Sequence, residues 1–181
     1  MLNLCRIAIR AYKQLTLFVG FLYIITMINI DLTQYKPFLV QKMKDGYAVR
    51  NSTEWGILIK SFPFDIYPEM KDIPKNDWFD EDGDEEFVPD VPVFKAYEAE
   101  VEFIYEGARD TGYTNVRNFL SYLATNGLNR IYDSYTSIGR QNVRYQKQSD
   151  AKLYRNSTKE YIVFKVNLKF NDPTTMITLS L

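Results

Sequence analysis

The reactive groups this sequence concentrates are carboxylates. Asp80-Glu81-Asp82-Gly83-Asp84 clusters the oxygen donors that hard cations such as calcium prefer. The spacing does not match an EF-hand loop. With Gly83 in the place of that loop's invariant glycine, Trp78 falls on the first ligand position and Pro89 on the twelfth, where Asp and Glu are required. The run reads as solvated, self-repelling charge, and no metal site is expected. Glu98, Glu100, Glu102 and Glu106 recur at even spacings, which sets them along one wet face of a strand rather than across a cleft as an acid–base pair.

Histidine is absent, which removes the commonest general base and neutral metal ligand near neutral pH. The single cysteine, Cys5, permits neither an intrachain disulfide nor a cysteine-based zinc site. No nucleophile motif occurs, so no catalytic residue, cofactor or small-molecule substrate is expected. Between Leu128 and Glu160, Arg130, Arg140, Arg144, Lys147, Lys152, Arg155 and Lys159 interleave with Tyr132, Tyr135, Tyr145 and Tyr154. On a β-barrel that pattern suits single-stranded nucleic acid, although outward polar and inward aromatic residues are also what any amphipathic sheet shows. Asn51-Ser52-Thr53 and Asn156-Ser157-Thr158 are glycosylation sequons that act only in a eukaryotic secretory context.

The elements that carry these residues are mostly strands. Length bounds the chain to one sizeable domain, and 14 Tyr with 12 Phe is β-rich composition. Phe38 to Met43 and Tyr47 to Asn51 flank Lys44-Asp45-Gly46 as a hairpin, and Trp55 to Phe62 follows. Residues 63–93 hold five of the seven prolines, and seven of the ten residues from Asp77 to Glu86 are acidic. They read as a long surface loop or arm, mobile in a free subunit and ordered against a neighbouring copy. Its assembly residues would be Trp78, Phe79, Asp80, Asp82, Asp84 and Phe87.

Ala99, Val101, Phe103 and Tyr105 alternate with the glutamates in the clearest strand. A helix over Thr114 to Thr125 then places Val116, Phe119, Leu120 and Leu123 on one packing face, with Gly127 just past its end. Strands follow at Leu128 to Thr136, Ile138 to Gln146, Ala151 to Arg155 and Glu160 to Asn171. Met176 to Leu181 is expected to close the sheet. The fold class is mostly β: an antiparallel sandwich or barrel with one amphipathic helix.

Residues 1–26 differ from the remainder: Arg6, Arg10 and Lys13 precede an uncharged apolar run from Leu15 to Ile30. They read as a membrane anchor, as a signal segment, or as an extension upstream of a start at Met27. Removing those three from the 22 basic residues leaves 19 against 23 acidic ones, a net of −4 for residues 27–181, which are taken as a single β-rich domain.

The stretch from Ala99 to Asp172 resembles the ring-forming domain of the phage tail-tube and distal-tail protein superfamily. The likeness lies in the order of parts: strand Ala99-Glu100-Val101-Glu102-Phe103-Ile104-Tyr105-Glu106-Gly107, helix near Asn118-Phe119-Leu120-Ser121-Tyr122-Leu123, Gly127 with Ile131-Tyr132-Asp133, and strand Phe164-Lys165-Val166-Asn167-Leu168-Lys169-Phe170 before Asp172-Pro173. The resemblance implies a non-enzymatic virion protein of a tailed phage or prophage. Its partners would be itself, in a hexameric ring, and other tail proteins, in a tube, terminator or distal-tail position. DNA would be passing cargo only, and assembly would occur in the bacterial host cytoplasm. A membrane or envelope location is the alternative if residues 1–26 are translated.

Overall fold

In the computed structural model the described residues are 31–60, 64–80 and 82–181, and residues 1–26 with their predicted extension lie outside them. Within the unit Thr33–Leu181 the chain order is β1 (Tyr35–Lys36), β2 (Phe38–Lys42), β3 (Arg50–Asn51), β4 (Ile57–Lys60), β5 (Lys75–Asp77), β6 (Asp84–Glu86), β7 (Tyr97–Ala108), α1 (Gly112–Ala124), β8 (Asn129–Asp133), β9 (Ile138–Arg155) and β10 (Lys159–Phe170). Eight strands form one antiparallel sheet in the order β1-β4-β7-β10-β9-β8-β2-β3, and β5 and β6 pair separately.

This sheet curls on itself without closing. Phe38 in β2 and Phe103 in β7 would lie about 19 Å apart across four flat strand spacings, yet their ring centroids are 5.7 Å apart. Connectivity demands the same thing. β1 begins the sheet order and β2 stands next to its far end, but only Pro37 separates them. A single residue spans that gap only if the two margins face each other. No ladder joins β1 to β2 or β3, so the sandwich stays open along that seam.

Phe38, Phe103, Phe119 and Phe164, all wholly buried, fill the curl, with Phe119 of the helix 5.5 Å from Phe103 and 6.4 Å from Phe164 in edge-to-face contacts. Each buried aromatic removes a large apolar area from water and gains further from tilted ring pairing. Alternation in β7 and β10 follows from this core: their registers run residue for residue from Phe170↔Tyr97 to Lys159↔Ala108. Val101, Phe103 and Tyr105 therefore face inward with Phe164, Val166 and Leu168.

Two glycines make the helix and its support possible. Gly56 sits at φ 68°, and a Cβ there would stand 2.8 Å from the Glu106 carbonyl oxygen. That close approach lets the Gly56 carbonyl accept from the Glu106 amide at 2.9 Å. At Gly112, the first helical residue, a Cβ would meet Glu160 Oε1 at 2.2 Å. In its absence, Glu160 accepts from the Gly112 amide at 2.8 Å and the Asp110 amide at 3.2 Å, satisfying donors that a helix start leaves unpaired.

The predicted strand at Met176 to Leu181 reduces to one bridge, Met176↔Arg140, with the Ile177 amide donating to the Gly139 carbonyl. The two strands expected on either side of 147–150 are one strand, β9, carried through by its pairing with β10 across two register shifts.

Candidate assembly surface

Residues 64–80 and 82–93 belong to an arm with its own hairpin. Its root is fastened inside the domain: Phe64 is buried and meets Phe170 edge-on at 5.8 Å. Above that, Met70 bridges to Phe94, the Lys71 amide donates to the Val93 carbonyl and the Lys95 amide to the Glu69 carbonyl. Lys95 Nζ reaches both Glu69 at 2.9 Å and Asp72 at 2.8 Å. Further out, β5 and β6 pair as Lys75↔Glu86 through Asp77↔Asp84, with Lys75 ion-paired to Asp84 and Trp78 Nε1 donating to Glu85 at 3.3 Å.

The predicted assembly residues Trp78, Phe79, Asp80, Asp82, Asp84 and Phe87 are all exposed. Phe79 is completely so, and Ile66, Tyr67, Val88 and Val91 are more than half exposed. Met70, Ile73, Pro74, Phe87, Pro89 and Val93 line a shallow apolar concavity of about 280 Å³ on the same arm. Among the described residues no group of three acidic side chains converges as metal ligands would.

On the helix, Val116, Phe119 and Leu123 point into the core, whereas Leu120 is half-buried. It lines a groove of about 440 Å³ between α1 and the β9–β10 sheet, together with Tyr113, Arg117, Tyr145, Ala151 and Ile162. Sequence periodicity groups Leu120 with the core face because it cannot tell a residue beneath the helix from one on its flank.

The glutamates of β7 form a cross-strand ladder on the outer sheet face. Glu100 meets Lys165 at 2.6 Å, Glu106 meets Lys159 at 2.7 Å and Glu98 meets Lys169 at 3.7 Å, while Glu102 takes Lys60 and the Tyr35 hydroxyl. The Lys165 ammonium beside Glu100 holds that carboxyl below its usual range. Such pairs contribute a few tenths of a kcal/mol each, ~0.2–1, which suits a scaffold.

The basic residues of 128–160 do not share one face. Arg140 is buried and donates to the Gly139 and Asp65 carbonyls. Arg155 and Lys159 are taken by Glu160 and Glu106. A continuous basic track, which a single-stranded nucleic-acid surface requires, is not assembled.

Glu160 and Lys42 are among the buried charges that escaped the sequence reading. Glu160 is nearly inaccessible; burial pushes its carboxyl up, but the Asp110 and Gly112 amides and the Arg155 guanidinium outweigh this and hold it below the ordinary range. Lys42 is equally buried. Its Nζ donates to the Leu123 carbonyl at 3.2 Å and stands 5.0 Å above the Tyr122 ring, and desolvation brings the ammonium down to about 8. Strand alternation marks neither, since both occupy inward positions that usually hold apolar residues.

Over 75% of its length the chain is similar to the solved structure of the SPP1 Dit protein (gp 19.1), described as a paradigm of hub adsorption apparatus in Gram-positive infecting phages. The two are 19% identical with a TM-score of 0.46, and the match covers 50% of that chain. No protein-family model and no curated protein matches.

Proposed function

We propose that this chain is a structural protein of a phage tail that acts by self-association into rings, with no catalytic activity of its own. The observation that carries the reading is the arm. A rooted, hydrogen-bonded hairpin presents Trp78, Phe79, Phe87, Val88 and Val91 to water, and a cluster of exposed large apolar side chains marks a surface meant for a protein partner. The β7 and β10 strands, with their continuous register and ion-pair ladder, supply a stiff frame against which such an arm can be presented.

Sheet margins point the same way. β1 and β3 are two-residue strands that end an eight-stranded sheet along an open seam, and closed rings are one way natural sheets protect edges from uncontrolled pairing. A ring of six copies follows the tail-protein resemblance, as do neighbouring tail proteins as further partners and the virion tail as location. The test is light scattering and native mass spectrometry on residues 27–181. The expected result is a discrete multiple of the subunit mass, six by preference, with rings on negatively stained grids. A well-folded monomer throughout the micromolar range at low salt refutes the reading.

A further inference from the structure

We propose that the outer face of β9, along Arg144, Lys147 and Lys152, receives the acidic arm hairpin of a second copy, the two held together by opposed charge. This rests on the ring-forming reading and specifies its contact.

Strand register places the three basic side chains together. β10 buries Phe164, Val166, Leu168 and Phe170 on its inner face, so Val163, Asn167 and Lys169 face outward. These three stand opposite Lys152, Lys147 and Arg144 of β9, all of which are exposed. Along the same rows on β7 lie Ile104, Glu100 and Glu98. The outer face is therefore polarised across its width, acidic on β7 and basic on β9.

The charge on β9 is what remains after the sheet has paired its own. Glu100 is taken by Lys165, Glu106 by Lys159, Glu98 by Lys169 and Glu102 by Lys60. Arg144, Lys147 and Lys152 have no carboxylate within ion-pair distance among the described residues, and Lys147 acts on Glu100 only at longer range. Arg144 also stands directly opposite Lys169, a like-charge repulsion that an added carboxylate relieves. Asp150 is the single acid between Arg144 and Arg155. The three basic residues are strung along about 25 Å of strand, which suits an elongated acidic segment.

The arm has that chemistry. Residues 77–90 hold eight acidic residues and no basic one, carried on both strands of the hairpin and in its turn. Asp77, Asp80, Asp82 and Asp90 make no ion pair among the described residues, and none joins the arm to β9 within one chain. Since a single chain leaves both surfaces unpaired, the contact is made between copies. An arm laid on the β9 of the next subunit is a heterologous contact, the type that generates rings when the rotation closes. The opposed charges fix the partner's orientation and speed encounter.

The test titrates the full chain carrying Asp80→Lys and Asp82→Lys, whose own arm no longer competes, with a fluorescently labelled peptide of residues 74–91. Asp80, Asp82, Lys147 and Lys152, the four positions altered, are exposed, and circular dichroism checks that each variant keeps the fold. The expected result is saturable binding, weakened about tenfold by raised salt as screening of exposed charges requires. Binding is lost from a chain carrying Lys147→Glu and Lys152→Glu, and that chain recovers it when the peptide itself carries D80K and D82K. Absence of binding, indifference to charge reversal on β9, or no recovery with the reversed peptide overturns the proposal, as does capture of a single-stranded oligonucleotide in place of the peptide. Light scattering on the unaltered chain separates the two readings. Rings that persist in both charge-reversed chains sink the arm contact and leave ring formation standing. A monomeric unaltered chain that captures the peptide with this charge dependence sinks ring formation and upholds the arm contact.

Discussion

Replacing Lys42 with Met is expected to stabilise the protein and to flatten its pH profile. The folded ammonium sits at about 8 because burial strips its water without supplying a carboxylate, whereas an unfolded lysine titrates near 10.4. At neutral pH both states are protonated and the folded one carries the full cost, roughly 3 kcal/mol at ~1.4 kcal/mol per pKa unit. Between about pH 8 and 10.4 the unfolded chain binds the extra proton, so stability rises with pH through that window.

Methionine fills the same space without charge. The Leu123 carbonyl it abandons still accepts from Asn129 Nδ2 at 3.0 Å, and the loss over the Tyr122 face is about 1 kcal/mol. The net gain is then about 1–2 kcal/mol, or about 3–6 °C in Tm for a domain of this size. The assay is thermal denaturation of both proteins from pH 7.5 to 9.0, about one unit below where tyrosines titrate. An unaltered chain whose Tm stays level or falls across that window, or a Lys42→Met variant that melts lower at pH 7.5, refutes the reasoning.

Phe119→Ala should cost about 3–5 kcal/mol in chemical denaturation, because four aromatic partners around a wholly buried ring cannot collapse into the space. Glu160→Gln should lower stability at pH 7. The carboxyl's folded pKa is depressed, so its contribution is complete above about 4.3 and fades as pH falls through the folded value; the difference between variant and parent, measured by melting from pH 7 to 3, should therefore shrink toward acid. A protease specific for glutamate should cut the monomeric chain first between residues 77 and 90, and full protection of that segment in a monomer would contradict an exposed arm.

What the sequence shows and hides follows from burial. β7 and β10 are legible because one face of each is buried and the other is a charged ladder, so their residues alternate. The β5–β6 hairpin is illegible: Lys75-Asn76-Asp77 and Asp84-Glu85-Glu86 are exposed on both faces and held by side-chain pairs such as Lys75–Asp84, which leave no apolar period. Lys147-Gln148-Ser149-Asp150 reads as a break because its own side chains lack strand character, yet β10 continues the ladder past it. Prolines and acids mark where the strand pattern breaks off between residues 63 and 93. The groove leaves no such mark, since its walls come from residues some thirty apart that only the tertiary fold brings together.

The single-residue step at Pro37 has a consequence for biosynthesis. β2 finds its main partner in β8, with Val40 opposite Ile131, so the strand leaves the ribosome long before the segment that must cover it exists. At translation speeds of ~5–20 residues per second the wait is roughly 5–20 s, during which Phe38, Leu39 and Val40 have no β8 to pair with. A chain stalled before Asn129 has β4 in place for β1 but no β8 for β2, and a nascent-chain proteolysis series should show β2 becoming resistant only after β8 has emerged.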